Sequence, residues 1–102
     1  MIRHIVLTKF KTDVTEETIE NIYSGLSELS ESLTGAGGFT GGRSNSPEQI
    51  ERGYMHGFVI DFTDWSALER YQSDETHKAL GAKLVQNTIG GIDGILVLDI
   101  EV

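Results

Sequence analysis

Along the first ten residues, apolar and polar side chains change sides step by step. In IRHIVLTKFK, Ile5, Leu7 and Lys9 fall on one face and His4, Val6, Thr8 and Phe10 on the other, the two-residue period of a strand with both faces partly covered. The alternation returns in YMHGFVIDF, where His56, Phe58, Ile60 and Phe62 share one face and Met55, Gly57, Val59 and Asp61 the other. Between these stretches the period lengthens. Ile19, Ile22, Leu26, Leu29 and Leu33 recur at three- and four-residue spacings and draw one apolar stripe along a helix over about residues 16–33, leaving Glu20, Ser24, Ser27 and Glu31 on its wet face. Thr15 can cap that helix, and Glu16 and Glu17 set negative charge against its unpaired N–H groups.

GAGGFTGGRSNS holds too many glycines for a helix. Phe39 among them marks a short irregular strand, near 38–44, whose glycines permit bends or close backbone approach. SPEQIERG then reads as a serine-capped turn with Pro47 in its first position. Thr63 or Asp64 can cap a second helical region in which Trp65, Leu68 and Tyr71 share a face; Ala79, Leu80, Lys83 and Leu84 continue it beyond a break near Ser73 or Asp74. The β-branched run from Ile95 to Val102 is a last strand. The order β-α-β-β-α-β predicts an α+β, ferredoxin-like subunit, with two helices covering one face of a four-stranded antiparallel sheet. The first and third strands are apolar on both faces, and two helices shield only one. Burying each such side chain is worth roughly 1.5–3 kcal/mol, so the pattern predicts a homodimer whose sheets meet.

Length narrows the reading to a single domain over residues 1–102, with a modest core that a partner subunit would help to complete. Hydrophobic residues at 38% and a single proline mark a folded rather than a disordered chain. Sixteen acids against eight bases give a net charge of −8 with no basic cluster, which argues against nucleic acid and anionic membrane as partners. Cysteine is absent, which removes disulfides, thiolate nucleophiles and sulfur-ligated zinc. No apolar stretch approaches the roughly 20 residues that span a bilayer, and the N-terminal run is too charged for a signal peptide; a cytoplasmic address is expected.

His4, His56 and His77 are the only imidazoles, and their spacing matches no local metal motif, so neither metal nor cofactor is expected. His4 and His56 each lie among apolar neighbours on a strand face, where a pocket would give a near-neutral imidazole a use in proton transfer. In ERYQSDETH, Tyr71 and His77 are six residues apart; one regular helix would rotate them well apart, whereas a break near Asp74 turns both toward the sheet. His77 is then a candidate base for an acidic C–H beside a carbonyl, with Tyr71 orienting it and His4 donating to the oxygen on which charge develops. The acids at Asp74 and Glu75 are expected to raise the pKa of His77. Met55, Trp65, Phe39 and Phe58 are assigned to packing, and Arg43, Asn45 and Ser46 to the surface.

RHIVLTKFK, GGRSNSPEQIERGYMHGFVIDF and ERYQSDETH together resemble the stress-responsive α/β-barrel domain family, the Dabb proteins, over essentially the whole chain. The resemblance implies a dimeric α/β barrel of two ferredoxin-like subunits. It also implies, through a plant cyclase of that family that closes a linear tetraketide by aldol chemistry, a catalytic set of His4, Tyr71 and His77. His56, Phe58, Leu26 and Tyr23 fall at or near substrate-binding positions; Leu26 stands where the cyclase has a pocket tyrosine, and Tyr23, one turn earlier, is the alternative source of that hydroxyl. Where the family has a proline before its last histidine, this chain has Asp74, Glu75 and Thr76. The function implied is a small cofactor-independent cyclase or isomerase acting on a small apolar or aromatic carbonyl compound. The alternatives are a non-catalytic stress-associated dimeric scaffold or apolar-ligand-binding domain, and a monooxygenase sharing only the order of elements.

Overall fold

The computed structural model describes residues 1–102. β1 (Ile2–Thr8) keeps the expected alternation: Ile2, His4, Val6 and Thr8 are buried, and the residues between them are half-covered. α1 (Glu16–Ser32) starts where Thr15 accepts from the Thr18 amide at 3.1 Å, and it buries Ile19, Ile22, Tyr23, Leu26 and Leu29. β2 (Ala36–Arg43) begins two residues before the expected strand, with its register against β3 (His56–Phe62) shifted between Gly37 and Thr40. Gly38, inside that irregularity, takes φ of +66°, a conformation glycine adopts without a Cβ penalty. The segment from Pro47 forms turns, with Gln49 and Arg52 both at positive φ.

The second helical region is two helices, α2 (Trp65–Ser73) and α3 (Glu75–Gln86), separated by one extended residue, Asp74. Asp64 caps α2 by accepting from the Ala67 amide at 2.8 Å. A 3-10 turn, Gly91–Gly94, leads into β4 (Ile95–Glu101). At Gly94 an added Cβ would collide with the Ile89 carbonyl oxygen and Thr88 Cγ2, so only glycine fits this corner. Trp65 departs from the expected packing role: it is half-exposed, and its indole N–H donates to Glu101 at 3.3 Å. Ala79 likewise faces solvent, leaving Leu84 as the fully buried residue of α3.

The four strands are ordered β2-β3-β1-β4, and all neighbours are antiparallel. The helices lie on one face, over a core that includes Val6, Leu26, Phe58, Ile60, Phe62 and Tyr71. The opposite face is open. Val59, Ile5 and Leu98 stand side by side across three strands, flanked by Leu7, Leu96 and Ile100, and the three β4 residues are 46–55% exposed. No helix is long and apolar enough to cross a membrane.

Candidate functional site

His4 sits in the middle of β1, with its side chain under the helices. Its Cα partner on β4 is Asp99, so the two side chains lie directly opposite on the same face, and His4 Nδ1 donates to Asp99 Oδ1 at 2.6 Å. That bond sets the ring orientation and leaves Nε2 as the free nitrogen. The ring is 5% exposed and packs edge-on against Tyr71, centroids 5.8 Å apart, and against Phe62 at 6.0 Å.

Tyr71, near the end of α2, is fully buried, and its hydroxyl has no hydrogen-bond partner. Burial pushes its pKa well above the ordinary tyrosine value, so it is a proton-bearing donor at any physiological pH. The break at Asp74 then turns the chain back. The Asp74 carboxylate accepts from the Thr76 and His77 amides, starting α3, and brings the His77 ring to 4.3 Å from the Tyr71 ring, centroid to centroid. His77 Nδ1 lies 3.2 Å from the Gln72 carbonyl oxygen. A carbonyl only accepts, so Nδ1 carries the proton and Nε2 carries the lone pair.

The pKa of His77 is lowered, contrary to the rise expected from its acidic neighbours. Burial is the largest cause; the Gln72 carbonyl pulls upward, His4 pushes downward, and Asp74 raises it least. The carboxylate of Asp74 is engaged with two backbone amides rather than with the imidazole. Desolvation therefore decides, and it favours the neutral base.

These three rings meet at one hollow of about 270 Å³ between the sheet and the helices, whose lining is mostly apolar and includes Val6, Leu26 and Phe58. It opens beside β4 and the 3-10 turn before it, where Val97 and Ile92 are exposed. His4, Tyr71, His77, Leu26 and Phe58 are thus together.

His56 and Tyr23 are not part of this hollow. His56 Nε2 lies 2.9 and 3.0 Å from the two Glu16 oxygens, with Arg43 3.4 Å from the same carboxylate. The Tyr23 ring packs at 5.3 Å from Phe58, 6.1 Å from Phe39 and 6.3 Å from Phe10, so Phe58 stands between it and the hollow. Leu26 consequently brings no hydroxyl to the hollow, and Tyr23 does not replace it there. No three His, Asp or Glu side chains converge as metal ligands.

Asp99 is the site residue that periodicity misses. Its signal was present as the acid that follows the apolar ILVL run of the last strand, but only the register of β4 against β1 shows which residue it faces.

Fold and site together define a class: a ferredoxin-like α+β subunit with an imidazole pair and a tyrosine across an apolar hollow, and a second sheet face left bare. The chain belongs to the stress responsive A/B barrel domain family, Dabb, which matches residues 2–102. It is similar to the stress-response A/B barrel domain-containing protein HS1 of Arabidopsis thaliana, 28% identical over 98 residues, covering 96% of this chain and 86% of that protein. Among solved structures, a dimeric ferredoxin-like protein of unknown function from Jannaschia sp. CCS1 is 34% identical with a TM-score of 0.92, covering 99% of this chain and 98% of that one. A hydroxynitrile lyase from Passiflora edulis, at 16% identity and a TM-score of 0.84 over 99% of this chain and 92% of its own, shares the fold alone.

Proposed function

We propose that this chain, one domain acting as a homodimer, is a small cofactor-independent enzyme that uses imidazole acid–base chemistry on an apolar carbonyl compound, as a cyclase or isomerase would. The observation that carries the reading is the meeting of His4, Tyr71 and His77 across one largely apolar hollow. A scaffold without chemistry would be expected to fill that space with side chains.

Each group has a role its surroundings favour. His77 Nε2, neutral and with Nδ1–H held by Gln72, takes a proton from the carbon beside the carbonyl. The Tyr71 hydroxyl, buried and without a partner, donates to the carbonyl oxygen, where negative charge grows as the C–H bond breaks. His4, oriented through Nδ1 by Asp99, is the group placed to hand an Nε2 proton to the enolate oxygen, with the Asp99 carboxylate beside the ring to balance the charge of that proton. In a cyclase the enol carbon attacks a second carbonyl carbon, its O–H proton returning to His4 while the new alkoxide takes the proton held by His77; in an isomerase the enol takes the His77 proton at another carbon and returns its O–H proton to His4.

Hydrogen exchange reads the first step without knowledge of the natural substrate. A straight-chain methyl ketone in heavy water should take up deuterium beside its carbonyl faster with the protein than without it. His77→Ala should lower that rate roughly 10²–10⁴-fold, the usual span for loss of a general base. Exchange that survives in a His4→Ala, His77→Ala double variant, or that never exceeds the buffer rate with the intact protein, would sink the reading.

A further inference from the structure

Four buried side-chain polar atoms have no hydrogen-bond partner: the hydroxyls of Thr8, Tyr23 and Tyr71, and His56 Nδ1. Tyr71 belongs to the hollow described above. The other three gather elsewhere, in one layer of the sheet. Thr8 and His56 are directly opposed across β1 and β3, 0% and 5% exposed. Tyr23, 6% exposed, leans over them from α1; the Thr8 hydroxyl lies close enough to temper the burial-driven rise of its pKa, yet neither hydroxyl completes a hydrogen bond. Phe10 closes the group, 5.2 Å from His56 and 6.3 Å from Tyr23 between ring centroids.

Leaving a buried donor or acceptor unmet costs about 1–3 kcal/mol, and folded proteins keep few such groups. Three in one layer are a costly arrangement for the free protein. They also lie in line with the candidate site. Along the helix-facing side of β1 and β3 the paired layers are His4 with Ile60, Val6 with Phe58, and Thr8 with His56. His4, Val6 and Phe58 line the hollow, so the unmet groups begin where it ends, with the Phe58 ring as the partition. From His4 to Thr8 is four residues of strand, about 13 Å at roughly 3.3 Å per residue.

We infer that the hollow takes an elongated ligand: a carbonyl head at His4, Tyr71 and His77, an apolar middle across Val6 and Leu26, and a terminal hydroxyl received by Thr8, Tyr23 and His56 once Phe58 turns aside. The chemistry of the far end matches a hydroxyl. His56 Nε2 faces a carboxylate that can only accept, so Nε2 carries the proton of the neutral ring and Nδ1 presents a lone pair to which a ligand hydroxyl donates. The Tyr23 and Thr8 hydroxyls can donate to the oxygen of the same group. This substrate class rests on the function proposed above, and the two can fail separately.

The test pairs a ten-atom straight-chain methyl ketone with the analogue whose terminal methyl is replaced by hydroxyl, titrated against the intact dimer by calorimetry. The hydroxy ketone should bind about tenfold tighter. Tyr23→Phe should shrink that preference severalfold and leave the melting temperature of the free protein unchanged or higher, because the hydroxyl removed makes no bond there. Phe58→Leu, which thins the partition, should widen the preference. Equal affinity for the two ketones, a preference untouched by Tyr23→Phe, or a lower melting temperature in Tyr23→Phe overturns this inference alone. Failure of both ketones to bind overturns it together with the carbonyl-enzyme reading.

Discussion

The imidazole of His77 is held between a carbonyl that favours its charged form and a buried setting that opposes it, and burial prevails. The folded pKa therefore lies below the ordinary value of 6.5. As pH falls below that value the unfolded chain binds the proton first, so the stability His77 supports is complete above about pH 6.5 and is lost as pH falls through the folded pKa. Imidazole resonances followed by NMR should place the His77 midpoint below 6.5, and His77→Gln should flatten this part of the fall in melting temperature on acidification. A midpoint above 6.5 would mean that the acidic neighbours outweigh burial. In the proposed chemistry Asp99 acts through another group, as a positioning residue for His4. Asp99→Asn removes the charge behind the 2.6 Å bond while keeping its shape. A hydrogen bond to a charged partner is worth about 1.5–3 kcal/mol, so deuterium exchange into the methyl ketone should slow at least about tenfold. The loss should fall on the exchange rate at saturating ketone and leave ketone binding unchanged, because Asp99 touches His4 and does not line the hollow; weakened binding would point to packing instead.

Between α2 and α3 one residue does two things. Asp74 is extended, its N–H bonds back to the Tyr71 carbonyl, and its carboxylate accepts from Thr76 at 2.8 Å and His77 at 3.3 Å. It ends one helix and starts the next, and the angle so produced sets His77 over Tyr71. Losing such a cap costs about 1 kcal/mol, several degrees of melting temperature in a chain of this size. Asp74→Ala should show that loss together with a shifted His77 resonance, whereas Asp74→Asn, which caps equally well, should restore both; a charge effect would leave Asn resembling Ala. Most of this geometry could be read from the chain. Alternation on β1 and β3 identified the faces carrying His4 and His56, and the polar interruption in ERYQSDETH located the break. What escaped depends on partners far apart in sequence: the Asp99 carboxylate behind His4, the engagement of Asp74 with backbone amides instead of His77, and the separation of His56 and Tyr23 from the hollow by Phe58. Trp65 escaped for a related reason, since helical spacing places it on the face of Leu68 and Tyr71 but does not reveal that its indole is half-exposed and donates to Glu101 at the end of β4.

On the scale of the whole molecule, the helices and the hollow occupy one side of the sheet and leave the other to be covered. The middle of that bare face is the row Val59, Ile5 and Leu98, with the Arg3–Asp61 ion pair, 2.9 Å, beside it. Such a row resembles a core cut in half: apolar side chains from three strands, each worth roughly 1.5–3 kcal/mol when sheltered. A second copy of the same face is the covering the proposal requires, and the Jannaschia protein with which this chain shares 34% identity is described as dimeric. Light scattering after size exclusion should give a mass of twice 11.2 kDa. Leu98→Asp, at a position 55% exposed in the single subunit, puts a carboxylate into the centre of the face without disturbing the core under the helices. It should reduce the mass to 11.2 kDa while the helical circular-dichroism signal stays intact. A change of Glu20 to lysine, on the solvent side of α1, should leave the larger mass in place. If Leu98→Asp keeps that mass, or the unaltered chain already runs as a single subunit at micromolar concentration, the bare face is not where two copies meet. The small hollow must then be stable within one subunit whose apolar sheet face remains in water.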